Sequence, residues 1–315
     1  MDRLDHVLEV RARAGTEHGL AFHLHADAAW GGYAASVTRG PDGARRSYAE
    51  TLADYAPHAD PSAPGDAWPS EALYRALCAL ERTDSVTIDP HKLGFVPYPA
   101  GAVSFRDGRT RHLVAAEAPY LSHEGAPEWG FLGRYILEGS KPGAAASAVW
   151  LSHKVLPLDA RGYGRLIGDT VRSALALHDG LSARDWAPFT VRVLPAPDLN
   201  IVCLAVTHPA LPTLEAVNAF VGRAYAAMSA TADPASRGRD YFVTKTVLQP
   251  AEYGHAADGL VACLGFTRAD YERAGGLAVL RCTVMDPFMV TRPGRTDFVQ
   301  GFADALGQVM EDVLA

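Results

Sequence analysis

No run in this 315-residue chain approaches the ~18 consecutive apolar residues that a membrane-spanning helix needs. A basic surplus is missing too. Against 29 Lys and Arg stand 36 Asp and Glu, a formal charge of −7, which gives no support for nucleic acid or an anionic membrane as partner. Cysteine is scarce: Cys78, Cys203, Cys263 and Cys282 stand far apart with no paired spacing, and three lie in apolar runs that suit free buried thiols. The opening MDRLDHVLEVRARAG is charged and amphipathic rather than signal-like. Internal repeats and low-complexity tracts are absent. These absences leave a globular chain, expected to be soluble and cytoplasmic. Its 48% hydrophobic content can fill a core for one large or two medium domains.

What is present reads as alternating elements. Leu4, Val7, Leu8 and Val10 recur at helical spacing, with Gly15 expected to stop that helix. LAFHLHADAAWGGY (20–33) reads as a buried strand entering a Gly-Gly turn. Residues 37–68 shift to Pro, Gly, Asp and Ala and suggest a surface insertion with one short helical piece, SYAETLADYA. Ser70 suits the N-cap of a helix with Leu73, Leu77 and Leu80 on one face. SVTI (85–88) and AVSF (102–105) are strand candidates, the second closed by the turn signal RDGR. Helices follow within 138–156 and near 160–180. Beyond residue 188, strand-like FTVRVLP, NIVCLAV, YFVTKTVL and AVLRCTVM alternate with helices near 213–229 and 297–314, which fits a smaller α+β domain.

The chemistry concentrates in two places. Asp27 and Lys92 both end strand-like segments, each beside a histidine, and open α/β sheets place ligands at the C-terminal edges of parallel strands. A buried lysine can lose its proton and act as a nucleophilic amine toward an aldehyde. A carboxylate that keeps a ring nitrogen protonated would complete the requirements of pyridoxal 5′-phosphate. Neither residue is informative alone, since strand-end lysines are commonly surface cations and an Asp before Ala-Ala is commonly a cap.

FHLHADAAWGGY followed by TDSVTIDPHKLGFVPYPAGAVSFRDGR resembles the pyridoxal-phosphate group II amino acid decarboxylases, within them the bacterial tyrosine decarboxylase branch. The resemblance runs on through EAPYLSH and LEGSKPGAAASAVWLSHKVLPLD and weakens in the last third. It implies an α/β chain of the fold-type I transferase class: the second half of the large-domain sheet over residues 1–185 and a small α+β domain over 186–315. It also implies roles. Lys92 would be the Schiff-base lysine, Asp27 the partner of the pyridine nitrogen, and Ala29 the residue packed under the ring. His91 would approach the phosphate and the reacting centre, with Asp89 and Ser85 nearby and His25 in support. Tyr120 matches the loop tyrosine that protonates Cα once carbon dioxide has left. Ser140, at the entry to an Ala-rich helix, would offer its hydroxyl and a helix amide to a phosphate.

Part of the family pattern is missing. Only 26 residues precede Asp27, so the Gly/Ser/Thr phosphate loop and the ring-stacking aromatic residue have no counterpart; His23, His112, His123 and His153 do not stand in the matching context. Three strands, around 21–25, 85–88 and 102–105, would lie side by side with two unpaired edges and an apolar face exposed. The expectation is a split enzyme, in which a second polypeptide carries the N-terminal half and two such pairs form an α2β2 assembly. The expected activity is decarboxylation of an aromatic, tyrosine-like amino acid. The alternatives are an oxidative deaminase or aldehyde-forming relative, a silent regulatory subunit, or a fragment. Substrate choice is not legible in Arg281, Lys245, Phe95, Tyr98 or Phe288.

Overall fold

A computed structural model describes residues 2–55, 68–116, 132–138, 141–229, 240–289 and 298–315. The chain forms two compact units, Met1–Ile167 and Gly168–Ala315.

The first unit opens with helix α1 (Leu4–His18), which buries Leu8. Gly15 lies inside this helix rather than ending it. A mid-helix glycine costs only about 1 kcal/mol, whereas Gly19 supplies the left-handed cap (φ 63°) whose amide reaches back to the Gly15 carbonyl. Strand β1 is short, His25–Asp27. The preceding residues 21–24, expected as strand, are not in the ladder; Leu24 is tied instead to Asp84, through its amide to the carboxylate and its carbonyl to the Asp84 amide. A 3-10 segment, Gly32–Thr38, then buries Tyr33, Ala34 and Val37. Helix α2 (Tyr48–Tyr55) buries Thr51, so the stretch expected as a surface insertion contributes to the interior. Ser70 caps α3 (Glu71–Ala79), its Oγ accepting from the Leu73 amide at 3.1 Å, and Leu73 and Leu77 are buried as their spacing predicts.

Strands β2 (Ser85–Ile88) and β3 (Ala102–Phe105) fall where their apolar runs place them. The sheet order is β1-β2-β3, with β1 parallel to β2 and β3 antiparallel to it. Asp27 pairs in register with Thr87, which puts the C-terminal ends of β1 and β2 at one edge. Val103 on β3 is 54% exposed. The short helix α4 (Arg111–Val114) and α5 (Ala144–Val155) complete the unit together with the start of α6 (Tyr163–Ala183). Nothing in α5 is buried, and its Trp150 and Val155 are 62% and 70% exposed.

The second unit is an α+β domain around an antiparallel sheet ordered β4-β5-β7-β6. Its strands are β4 (Thr190–Val193), β5 (Ile201–Thr207), β6 (Thr244–Leu248) and β7 (Leu277–Thr283). Helix α7 (Leu214–Ala227), the short α8 (Pro250–Tyr253), α9 (Asp258–Cys263) and α10 (Arg268–Arg273), and α11 (Phe298–Leu314) fill in around it. Phe220, Leu204, Leu277, Leu280, Leu306 and Met310 form one apolar core. Cys78 and Cys282 are buried free thiols, whereas Cys203 is half-buried and Cys263 exposed. Among the described residues no helix is long and apolar enough to cross a membrane.

Candidate active site at the ends of two parallel strands

Lys92 sits in the turn that leaves β2. That turn is closed by the Lys92 amide donating to the Asp89 carbonyl, the Phe95 amide to the Lys92 carbonyl and the Val96 amide to the Pro90 carbonyl, each at 3.0 Å. Leu93 and Val96 are buried and anchor it. The Lys92 side chain is 35% exposed, and its Nζ lies 2.8 Å from Asp89 Oδ2. The buried amine expected from the sequence is therefore a partly exposed one, paired with a carboxylate three residues earlier. Asp89 faces the lysine.

Asp27 ends β1 and is exposed. Its Oδ1 accepts from the Ala29 amide at 3.1 Å, a local turn that fixes the carboxylate at the strand end. The Asp89 amide donates to the Ala29 carbonyl at 3.2 Å, and the Ala28 amide donates to the Thr87 carbonyl at 3.0 Å. These two bonds tie the Asp27–Ala29 turn to the Asp89–Lys92 turn, so the carboxylate and the amine stand on neighbouring strand ends.

A side-chain ladder runs across the same two strands. Ser85, 2% exposed, shares hydrogen bonds with His25 Nδ1 at 2.7 Å and His23 Nε2 at 2.8 Å. His25 Nε2 also meets Thr87 Oγ1 at 3.2 Å. With both ring nitrogens engaged, the His25 ring is fixed. Ser85 has one proton to give, so one of its two histidines must donate to it. His91 turns to the backbone, its Nδ1 2.5 Å from the Ala100 carbonyl. Tyr120 and Ser140 lie outside the described residues. Among the described residues no group of acidic, histidine and cysteine side chains suits a metal ion.

The family described as "Tyrosine decarboxylase, C-terminal" matches residues 181–314. The L-tyrosine decarboxylase of Levilactobacillus brevis is 31% identical over 319 residues, covering 100% of this chain and 50% of that protein. The L-tyrosine decarboxylase of Enterococcus faecalis is 32% identical over 323 residues, covering 99% and 51%. Among solved structures, the Oryza sativa protein titled "TDC with PLP and tryptamine" superposes with a TM-score of 0.59 at 15% identity, over 100% of this chain and 48% of that one. Mouse CSAD in apo form gives 0.58 at 17% identity, over 98% and 49%. Residues 181–314 match that C-terminal family, and the whole chain is similar to about half of each of these L-tyrosine decarboxylases. The chain spans about half the length of the curated relatives it matches.

The sequence reading missed several neighbours of the decarboxylase-like site. Thr87 could have been found from strand alternation, since it shares a β2 face with Ser85. Tyr33, His153 and Tyr163 carry no local signal, because they meet only through the fold. Gly94 is required by space: a Cβ there would lie 2.5 Å from the Pro90 carbonyl oxygen and 2.6 Å from Tyr33 Cζ.

Proposed function

We propose that this chain is the lysine-bearing half of a pyridoxal-phosphate-dependent amino acid decarboxylase. Its substrate in this reading is an aromatic, tyrosine-like amino acid, and a partner subunit brings the phosphate loop and the ring-stacking residue. The observation that carries the reading is that Asp27, at the end of β1, and the turn with Lys92, just past the end of the parallel strand β2, are tied together by the Asp89–Ala29 backbone bond. The relatives with the name L-tyrosine decarboxylase lend the chemistry and the substrate class.

The donor set suits the cofactor. Lys92 offers a primary amine that is open to an aldehyde, and Asp27 offers an exposed carboxylate for a ring nitrogen. In this assignment Lys92 and Asp27 would hold the two ends of the ring system, Ala29 would lie under it, His91, His25, Ser85 and Asp89 would stand nearby, and Ser140 would be a phosphate contact. When bound, pyridoxal 5′-phosphate supplies a conjugated sink for the electron pair left as the carboxylate departs. The chain's own residues set the stage for that event. Asp89 holds the Lys92 ammonium in place until its proton is given up, and the Ser85–His25–Thr87 ladder keeps the imidazole in one orientation. Tyr120 is assigned the proton donor to Cα.

The partner is supported by the shape of the first unit. A three-stranded sheet whose outer edges on β1 and β3 have no ladder partner among the described residues, and a helix α5 with no fully buried residue, are surfaces that a polypeptide with the other half of the fold would cover. An α2β2 assembly follows if two such pairs join about a two-fold axis.

The deciding experiment is reconstitution. The chain is co-expressed with a polypeptide carrying the N-terminal half, given pyridoxal phosphate, reduced with borohydride and mapped by mass spectrometry. The expected result is one pyridoxyl group on Lys92, carbon dioxide release from L-tyrosine, and loss of both in Lys92→Ala. Labelling spread over other lysines, or none on Lys92, would overturn the assignment.

A further inference from the structure

Three rings from three separate elements meet behind the turn that carries Lys92. Tyr33 comes from the 3-10 segment Gly32–Thr38, His153 from α5 and Tyr163 from the start of α6. Their centroids are 4.9 Å apart for Tyr33 and Tyr163, 5.7 Å for His153 and Tyr163, and 5.8 Å for Tyr33 and His153. Tyr33 and Tyr163 are buried, at 5% and 1% exposure. Polar contacts fix the cluster. Tyr33 Oη and His153 Nε2 share a hydrogen bond of 2.9 Å. Tyr163 Oη donates to the Gly94 carbonyl at 2.8 Å, a buried bond between residues 69 apart in sequence.

The turn needs such support. Phe95 has φ 54°, in the left-handed region that a bulky residue enters only when its surroundings hold it there. Gly94, just before it, is pressed against the Tyr33 ring, which is why no side chain fits. Burial lowers the His153 pKa, so at neutral pH the ring is uncharged and able to accept from the Tyr33 hydroxyl.

We infer that Tyr33, His153 and Tyr163 are positioning residues, a brace that clamps Gly94 and through it sets the Lys92 turn. The brace acts on the backbone two residues from the amine and touches neither cofactor nor substrate. Its importance to catalysis rests on the reading of Lys92 given above; its effect on the turn does not.

The test uses two readouts on the full chain that need no cofactor. Hydrogen exchange reports the Phe95 and Val96 amides, whose acceptors close the turn. Competitive acylation with acetic anhydride, followed by mass spectrometry against Lys245 as reference, reports the reactivity of Lys92 across pH. Tyr163→Phe keeps the ring and leaves the Gly94 carbonyl unpaired. It is expected to speed exchange at Phe95 and Val96 about tenfold, as loss of one buried hydrogen bond allows, while Val86 and Ile88 on β2 change less than twofold. The relative acylation rate of Lys92 or its pH midpoint shifts in the same variant. His153→Leu should match it, and His153→Gln, which keeps an acceptor for Tyr33, should restore the parent behaviour. Equal acceleration at every amide would mean general destabilisation, and no change at Lys92 would mean a turn that sets itself; either overturns the brace. Borohydride trapping of pyridoxal phosphate on the parent chain with its partner runs alongside. If Lys92 takes no label there, the functional reading fails, while exchange and acylation still decide the brace.

Discussion

Two contacts decide most at the scale of single residues: the 2.8 Å pair of Lys92 with Asp89 and the seat of Gly94 under Tyr33. Removing the Asp89 charge in Asp89→Asn leaves the lysine a neutral hydrogen-bond partner. The lysine loses the charged partner that holds it against the turn, so it should label faster with an acylating probe near neutrality. A slower reaction than in the parent would contradict this role for Asp89. Gly94→Ala forces a Cβ within 2.6 Å of a buried aromatic carbon and 2.5 Å of a carbonyl oxygen. Relief requires the turn or Tyr33 to move, at a cost of about 1–3 kcal/mol, measurable by urea denaturation monitored on the unit that holds them. His153 adds a pH signature. Burial lowers its folded pKa below the usual 6.5, so between those values the unfolded chain binds more protons than the folded one. Stability from this group is complete above pH 6.5 and declines as pH falls through that value toward the folded pKa. His153→Gln should flatten the fall, as read from chemical denaturation between about pH 7 and 5. A profile unchanged in that window would remove His153 as its source.

At the scale of elements, the parts legible in the sequence were those whose signals are local. β2 and β3 matched their expected bounds because each is a short strand-prone segment, SVTI and AVSF, closed by turn residues. Ser70 was legible for the same reason, being a small hydroxyl directly before a helical apolar pattern. Ser70→Ala should cost about 1 kcal/mol, seen as a lower midpoint for the first unit, and Ser70→Asp should recover most of it. The errors were non-local. The first strand was placed at 21–25 because Phe22, Leu24 and the alternating histidines look like a strand, yet a ladder exists only where β2 has residues to pair, from Ser85 onward. Gly15 has the local signature of a stop, yet the helix runs through it to the left-handed cap at Gly19. For the site, strand-end logic and family resemblance brought Asp27, Ala29, Asp89 and Lys92 to one place. The Ser85–His25–Thr87 ladder needed register, and the Tyr33–His153–Tyr163 cluster needed the whole fold, since its members lie 120 and 10 residues apart.

At the scale of the whole molecule, the two units differ in how far they bury their own surfaces. The second has a single apolar core under a four-stranded sheet with α7 and α11 on it. Among the described residues the first leaves the outer edges of β1 and β3 without a ladder partner, with Val103, Leu113, Trp150, Leu151 and Val155 all more than half exposed. Such edges are templates for pairing with another chain, and exposed apolar clusters favour association. The full chain by itself should therefore self-associate through the first unit, with a scattering signal that rises with concentration and persists in salt, because burial of apolar surface is not screened. A polypeptide carrying the N-terminal half should suppress that signal and replace it with a species of defined mass. Val103→Lys places a charge on the outer strand β3, a feature natural edges use to block pairing. It should lower self-association of the lone chain and, if the N-terminal half covers β3, also weaken the defined complex. The fold of the variant is checked by unchanged exchange in α3 of the same unit. Two outcomes separate the ideas. Loss of aggregation with the complex intact places the partner elsewhere than β3, whereas loss of both places it there. A lone chain that stays monomeric at all concentrations would show that these edges are covered by residues of the chain itself, and the partner would lose its main structural support.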